Sequence, residues 1–137
     1  MPQNPALVNA QGSSTNQLNH DHQQASKVVL AMLIRPGQLE RVRDRLDFGW
    51  AHPSHARMFR ALQELPTGTE EPLQVLPTDR ATEIATSTMD VEVPVSIDTA
   101  ISWLAETWNK AEMDKALRAK DPARIAELYH QQQTKPQ

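Results

Sequence analysis

Residues 26–65 read SKVVLAMLIRPGQLERVRDRLDFGWAHPSHARMFRALQEL, and this stretch decides the fold because it holds the pattern of three short amphipathic helices. In the first, apolar residues recur at spacings of three and four until Pro36 and Gly37 end the helix, since proline cannot continue the hydrogen-bond ladder. In the third, Pro53 suits a first helical position, and an apolar stripe follows until Pro66. The second is carried by three apolar residues: Leu39, Val42 and Leu46. The stretch therefore predicts a compact helical module, and no catalytic signature accompanies it.

The region between the third helix and Ser96 is interrupted by prolines and predicts two short helices. The second of them should be capped near Thr78 and Asp79. The segment MDVEVPV, residues 89–95, alternates as a strand does, but Pro94 cannot donate to a ladder and no second strand is visible. We expect an extended linker there.

The last third of the chain predicts a long helix followed by a hairpin. The helix should begin after Ser96, whose hydroxyl can cap it, and should end near Lys120. Asp121 then caps a final helix with Pro122 at its first position. The long helix carries an apolar seam at spacings of four and three: Ile97, Ile101, Leu104, Trp108 and Ala111.

Composition limits the classes of protein to which the chain can belong. A length of 137 residues suits one modest domain, and the scarcity of aromatic residues predicts a core built mainly of aliphatic side chains, which suits helices. We therefore predict an all-α fold: a compact bundle of short helices, then a long helix and a C-terminal helical hairpin. The absence of cysteine excludes a disulfide framework, a thiolate zinc site and a cysteine nucleophile. With no signal peptide and no apolar run long enough to span a bilayer, we expect a cytoplasmic protein.

Composition also suggests where the chain divides. Residues 1–22 are rich in Asn, Gln and Ser with no sustained period, and we expect a disordered linker, either to a preceding domain or as the arm of a stand-alone protein. We expect a helical bundle over 23–108, a helical hairpin over 109–132 and a frayed tail over 133–137. The hairpin either folds back on the bundle or forms an exposed docking element for another protein.

The order of these elements resembles the C-terminal helicase-binding domain of bacterial DNA primase, the DnaG family, whose fold is shared with the N-terminal domain of the replicative helicase DnaB. The resemblance covers roughly residues 24–132 and lies in three segments: SKVVLAMLIRPGQLERV, DFGWAHPSHARMFRAL and IDTAISWLAETWNKAEMDKALRA. The proline-rich region 65–95 and the short terminal hairpin depart from the family pattern.

The resemblance implies a non-catalytic domain that binds the replicative helicase and recruits primase to the replication fork. We expect no cofactor, no small-molecule substrate, no membrane contact and little or no direct binding to nucleic acid. By analogy with the family, the helicase would contact five residues of the hairpin: Leu117, Arg118, Ile125, Leu128 and Tyr129.

Three other functions remain open. The chain could be the N-terminal collar domain of a DnaB-type helicase, although no phosphate-binding G-x-x-x-x-G-K-[ST] loop is present. A metal site would have to use the histidines of the HDH segment or the pair His52 and His55, which lack a second set of ligands. A small helical DNA-binding protein would use five arginines of the first half, although the net charge of -3 and the acidic middle oppose it: Arg41, Arg43, Arg45, Arg57 and Arg60.

Overall fold

The computed structural model describes residues 3–92 and 96–134, with side chains described for residues 16–92 and 96–130. Within these ranges the chain is all-helical, as the sequence predicts, and contains no strand. Two 3₁₀ turns, Phe48–Trp50 and Pro53–His55, join the second and third of its α-helices. The helices are α1 Gln3–Leu33, α2 Gln38–Val42, α3 Ala56–Gln63, α4 Pro72–Val75, α5 Thr78–Thr88, α6 Ile97–Ala119 and α7 Pro122–Thr134.

Helix α1 differs most from the sequence-based prediction, because residues 3–22 are helical where we expected a disordered linker. The prediction rested on the polar composition of this segment. Polar side chains of its second half instead find partners in the folded protein: Asn19 and His22 hydrogen-bond to the loop between α2 and α3, and His22 is buried. Such partners offset the cost of ordering a segment that has few apolar residues.

The break between α1 and α2 lies at Pro36 and Gly37, as predicted. Gly37 has φ 77, a left-handed conformation that glycine adopts without strain, and its N–H donates to the carbonyl of Glu70 at 2.9 Å. Helix α2 is only five residues long, so the buried Leu46 lies beyond its end. Pro53 begins a 3₁₀ turn, and the α-helix proper starts at Ala56.

The predicted pair of short helices between α3 and α6 is present as α4 and α5. The cap of α5 differs from the prediction, since its N-cap residue is Pro77 and no side chain caps it. Residues 93–95, part of the predicted extended linker, lie outside the described residues. Met89 and Asp90 form a turn directly after α5.

The start and end of α6 and the start of α7 confirm the predicted helix boundaries. The Ser96 hydroxyl accepts from the backbone N–H of Thr99 at 3.2 Å, and Lys120 ends α6 in a left-handed conformation. Helix α6 is continuous through residue 108, where we expected the bundle to give way to the hairpin. The predicted tail begins within α7, which ends at Thr134, and residues 135–137 lie outside the described residues.

The core lies where α1 packs along α6, with α3 and α5 closing the remaining sides. Of the predicted α6 seam, Ile97, Ile101 and Leu104 are buried, whereas Trp108 and Ala111 are half-buried. None of the helices in the described ranges combines the length and apolar character needed to cross a bilayer. The largest fully buried side chains of the core are aliphatic with one aromatic, and include Phe59, Leu30, Leu33, Leu39, Leu62, Ile84 and Leu104.

Candidate functional site

The turn between α6 and α7 is fixed by its backbone and by one capping side chain. Lys120 has φ 55, and the N–H of Asp121 donates to the carbonyl of Ala116 at 3.0 Å, which satisfies an end carbonyl of α6. The Asp121 carboxylate accepts from the N–H of Arg124 at 3.1 Å and so caps α7. The hairpin is therefore a defined structure and presents fixed surfaces.

Side chains hold α7 against α6. Arg124 bridges Glu127 of its own helix, at 2.7 Å, and Glu112 of α6, at 3.2 Å. Burial acts to raise the pKa of Glu112, but hydrogen bonds and attraction from Lys115 and Arg124 outweigh it and lower the pKa. The hydrogen bonds to Glu127 and Glu112 raise the pKa of Arg124. Near the other end, the Asn109 amide donates to the carbonyl of Leu128 at 3.5 Å, and the Leu128 side chain is fully buried. The hairpin thus folds on itself, with Leu128 as its internal anchor.

The five residues predicted to bind a helicase divide into three groups. Leu117 and Tyr129 are 57% and 58% exposed, so both side chains are accessible to a partner. Arg118 is exposed and pairs with Asp114 at 3.0 Å, and Ile125 is half-buried. Leu128 is inaccessible, so a partner cannot contact it unless the hairpin opens.

Leu117 also borders a groove of about 280 Å³ between α1 and α6. Leu18 lines the α1 side and Met113 lines the α6 side. Sequence reasoning missed Leu18, because it lies in the segment interpreted as a linker. The apolar surface around Leu117 therefore extends across to α1.

A second cluster brings three histidines together on the α1 side of the loop between α2 and α3. His22, His52 and His55 are all buried. The ring centroids of His22 and His52 are 5.2 Å apart, and those of His52 and His55 are 6.2 Å apart. The spacing of Asn19, His22 and Ser26 by three and four is the signal that could have placed all three on one side of α1.

Hydrogen bonds assign the protonation of two of these rings. His22 Nε2 lies 2.6 Å from the carbonyl of Trp50, which only accepts, so this nitrogen carries the proton. His52 Nδ1 accepts from the N–H of Ser54 at 3.1 Å, and its Nε2 therefore donates to Oδ1 of Asn19 at 2.8 Å. The Ser54 hydroxyl lies 2.8 Å from the same unprotonated Nδ1 and donates to it, so the backbone N–H and the hydroxyl of Ser54 share this acceptor.

Burial is the main cause of the pKa shifts in this cluster. Desolvation lowers the pKa of His22 and of His52. It also lowers the pKa of His55 to about 4, with smaller effects from His52 and Lys27. All three rings are neutral at pH 7.

The histidine arrangement does not form a metal site. No group of three or more His, Cys, Asp or Glu side chains in the described part of the chain could hold a metal ion. His22 of the HDH segment is turned inward toward Trp50, while His20 is exposed. The rings of His22 and His52 hydrogen-bond to other parts of the protein, which fits a structural role for these two residues.

The five arginines considered for DNA binding are mostly engaged elsewhere. Arg41 and Arg45 both pair with Asp98 at the start of α6, and Arg57 pairs with Glu83. Arg43 donates to Glu40 and to carbonyls at the end of α3. Each pair reduces the positive charge available to a phosphate, which disfavours the DNA-binding alternative.

Comparisons of the chain with models of protein families, with curated proteins and with solved structures find no match.

Proposed function

We propose that this chain is a non-catalytic interaction domain that binds a replicative helicase of the DnaB type through its α6–α7 hairpin and recruits a DNA primase to the replication fork. The observation that carries the proposal is the exposure of Leu117 and Tyr129 on a hairpin that is otherwise well anchored. The identity of the partner comes from the resemblance of the sequence to the DnaG helicase-binding domain.

The geometry suits docking at two points along the hairpin. Because Leu128 lies opposite Asn109, Tyr129 lies roughly 12 Å from Leu117 along the axis of α6, at about 1.5 Å per residue. Exposed aromatic and aliphatic side chains on a rigid support are typical anchors of an interface, since little ordering accompanies binding. Arg118 beside Leu117 adds a charge at the edge.

The test measures co-elution and light scattering of the chain with the hexameric helicase at moderate salt. Leu117→Asp and Tyr129→Asp should each weaken binding by about 30-fold or more, as expected for an anchor worth about 2 kcal/mol. Val75→Asp and Met89→Asp are matched controls, because both side chains are large, apolar and exposed on other parts of the surface.

Point variants are preferable to deletion of the hairpin, because removing α7 would uncover the groups that Leu128 and Arg124 contact. Binding that survives the combined Leu117→Asp and Tyr129→Asp substitutions would refute docking through the hairpin. Equal losses in the control variants would do the same.

A further inference from the structure

A cleft of about 600 Å³ lies between α1 and the C-terminal end of α5, on a surface to which the α6–α7 hairpin contributes no residue. This volume falls within the range of small-molecule sites. The lining residues that matter for its chemistry are Lys27, His55, Ser87, Met89 and Asp90.

His55 is aimed into this cleft. Its side chain is only 5% exposed, and its Nδ1 lies 3.0 Å from the Ser26 hydroxyl. Its Nε2 has no hydrogen-bond partner among the described residues. Every fully buried side-chain nitrogen or oxygen of these residues does have a partner, so Nε2 must be accessible to solvent. Since His55 lines the cleft, Nε2 opens on it.

The hydrogen bonds of Ser26 decide what His55 presents. The Ser26 oxygen accepts from the backbone N–H of His52 at 3.1 Å, and Nδ1 of His55 is the available acceptor for its hydroxyl hydrogen. Nδ1 of His55 therefore carries no proton, and Nε2 does. The N–H at Nε2 of His55 is therefore a nearly buried hydrogen-bond donor that lines the cleft.

Lys27 supplies a cation beside this donor. Its side chain is 25% exposed, and its ammonium lies 3.4 Å from the carboxylate of Asp90, which is 72% exposed. An ion pair with so exposed a partner is weak, and a competing carboxylate would release Asp90 into water at small cost.

We propose that this cleft binds a small monocarboxylate with a short apolar tail. The carboxylate accepts hydrogen bonds from Lys27 and from Nε2 of His55, while the tail lies against Met89 and the Ser87 hydroxyl borders the site. A phosphate dianion fits less well, because Asp90 and the negative end of α5 face the same space and one lysine balances a single charge.

The experiment titrates butyrate into the isotope-labelled full chain at pH 7 and follows the His55 imidazole and Lys27 side-chain NMR signals. Butylammonium and inorganic phosphate are the comparison ligands, and the exposed His20 and His130 report non-specific effects. Butyrate should shift His55 saturably and more strongly than the exposed histidines, and it should bind more tightly than either comparison ligand.

Two surface variants should change the affinity for butyrate in opposite directions. Asp90→Asn removes the carboxylate that competes with butyrate for Lys27. It should tighten butyrate binding by about threefold, which corresponds to the loss of an exposed ion pair. Lys27→Gln removes the cation and should weaken binding by about tenfold or more, as for a charged hydrogen bond. Helical circular dichroism checks that both variants remain folded.

A butyrate response of His55 no larger than that of His20 would overturn the proposal, as would tighter binding of phosphate. Weaker butyrate binding by Asp90→Asn would also overturn it, since Asp90 would then be a ligand contact. None of these outcomes bears on helicase binding, because the cleft and the hairpin share no residue.

Discussion

Nε2 of His52 donates a hydrogen bond to Oδ1 of Asn19 at 2.8 Å, although 33 residues separate the two in sequence. Together with the bond from His22 to the carbonyl of Trp50, it joins α1 to the loop between α2 and α3. Side-chain hydrogen bonds to a distant loop therefore help to order this polar part of α1.

Asn19→Ala should lower the free energy of unfolding by about 1–3 kcal/mol, because it leaves the half-buried N–H of His52 without its acceptor. The measurement is urea-induced unfolding monitored by circular dichroism. Asn16→Ala is the matched control, since Asn16 is exposed on the same helix, and it should change stability by less than about 0.5 kcal/mol. Equal effects of the two substitutions would mean that the bond to His52 is not formed in solution.

Stability should fall as the pH drops from about 6.5 toward 4. The folded state holds the pKa of His22, His52 and His55 below the ordinary value of 6.5, so the unfolded chain binds more protons in this range and acid favours unfolding. His55 alone, with its pKa lowered to about 4, should account for about 3 kcal/mol of this loss. Urea unfolding at half-unit pH steps measures the slope.

Charged groups near the three histidines also affect how stability depends on pH. Lys27 near His55 and Lys115 near His22 oppose protonation, while Glu112 favours it at His22. His55→Gln can keep a hydrogen bond to Ser26 but has no titrating group, so it should flatten the slope between pH 6.5 and 4. His20→Gln, at an exposed position, should leave the slope unchanged. A flat wild-type profile would show that the cluster is accessible to solvent.

Leu128→Ala should destabilise the protein by about 2–5 kcal/mol, because Leu128 is fully buried and the substitution leaves a cavity. The same substitution at Leu117, which is 57% exposed, should cost less than about 1 kcal/mol. Thermal unfolding followed at 222 nm compares the two. Similar losses at both positions would mean that Leu117 is covered in solution, which would also remove the main support for docking through it.

Local signals in the sequence were sufficient to predict the boundaries of helices that are marked by a capping residue, a proline or a glycine. The Ser96 hydroxyl and the Asp121-Pro122 pair each specify a helix start through atoms within three residues, so α6 and α7 could be bounded from sequence alone. The break at Gly37 is equally local, since a left-handed residue there follows a proline.

The features that the sequence did not predict depend on contacts between distant residues. Asn19 and His22 look like linker residues until the loop that contains Trp50 and His52 folds over them. The burial of Leu128 and the exposure of Tyr129, its neighbour on α7, likewise follow from the rotation of α7 against α6, which no local pattern specifies. Hence the hairpin could be predicted, but which of its apolar residues faces solvent could not.

Arg43 should prove to be a structural residue. Its guanidinium donates to the carbonyl of Leu65 at 3.0 Å, with further bonds to the carbonyls of Gln63 and Pro66, and it pairs with Glu40 at 2.6 Å. Arg43→Gln would leave these acceptors at the end of α3 with fewer donors and should destabilise the protein by about 1–3 kcal/mol. Arg60→Gln, at an exposed position of α3, should have an effect below about 0.5 kcal/mol.

The same two variants separate stability from nucleic-acid binding. If single-stranded DNA bound the basic first half, the exposed Arg60 would contribute through its charge, and Arg60→Gln would weaken a salt-dependent interaction without changing stability. Fluorescence anisotropy with a labelled oligonucleotide at low salt, measured beside urea unfolding, gives both readouts. We expect Arg43→Gln to change unfolding alone and Arg60→Gln to change neither, because the neighbouring cations Arg41, Arg45 and Arg57 are paired with carboxylates that would repel phosphate. A loss of anisotropy confined to Arg60→Gln would contradict this expectation.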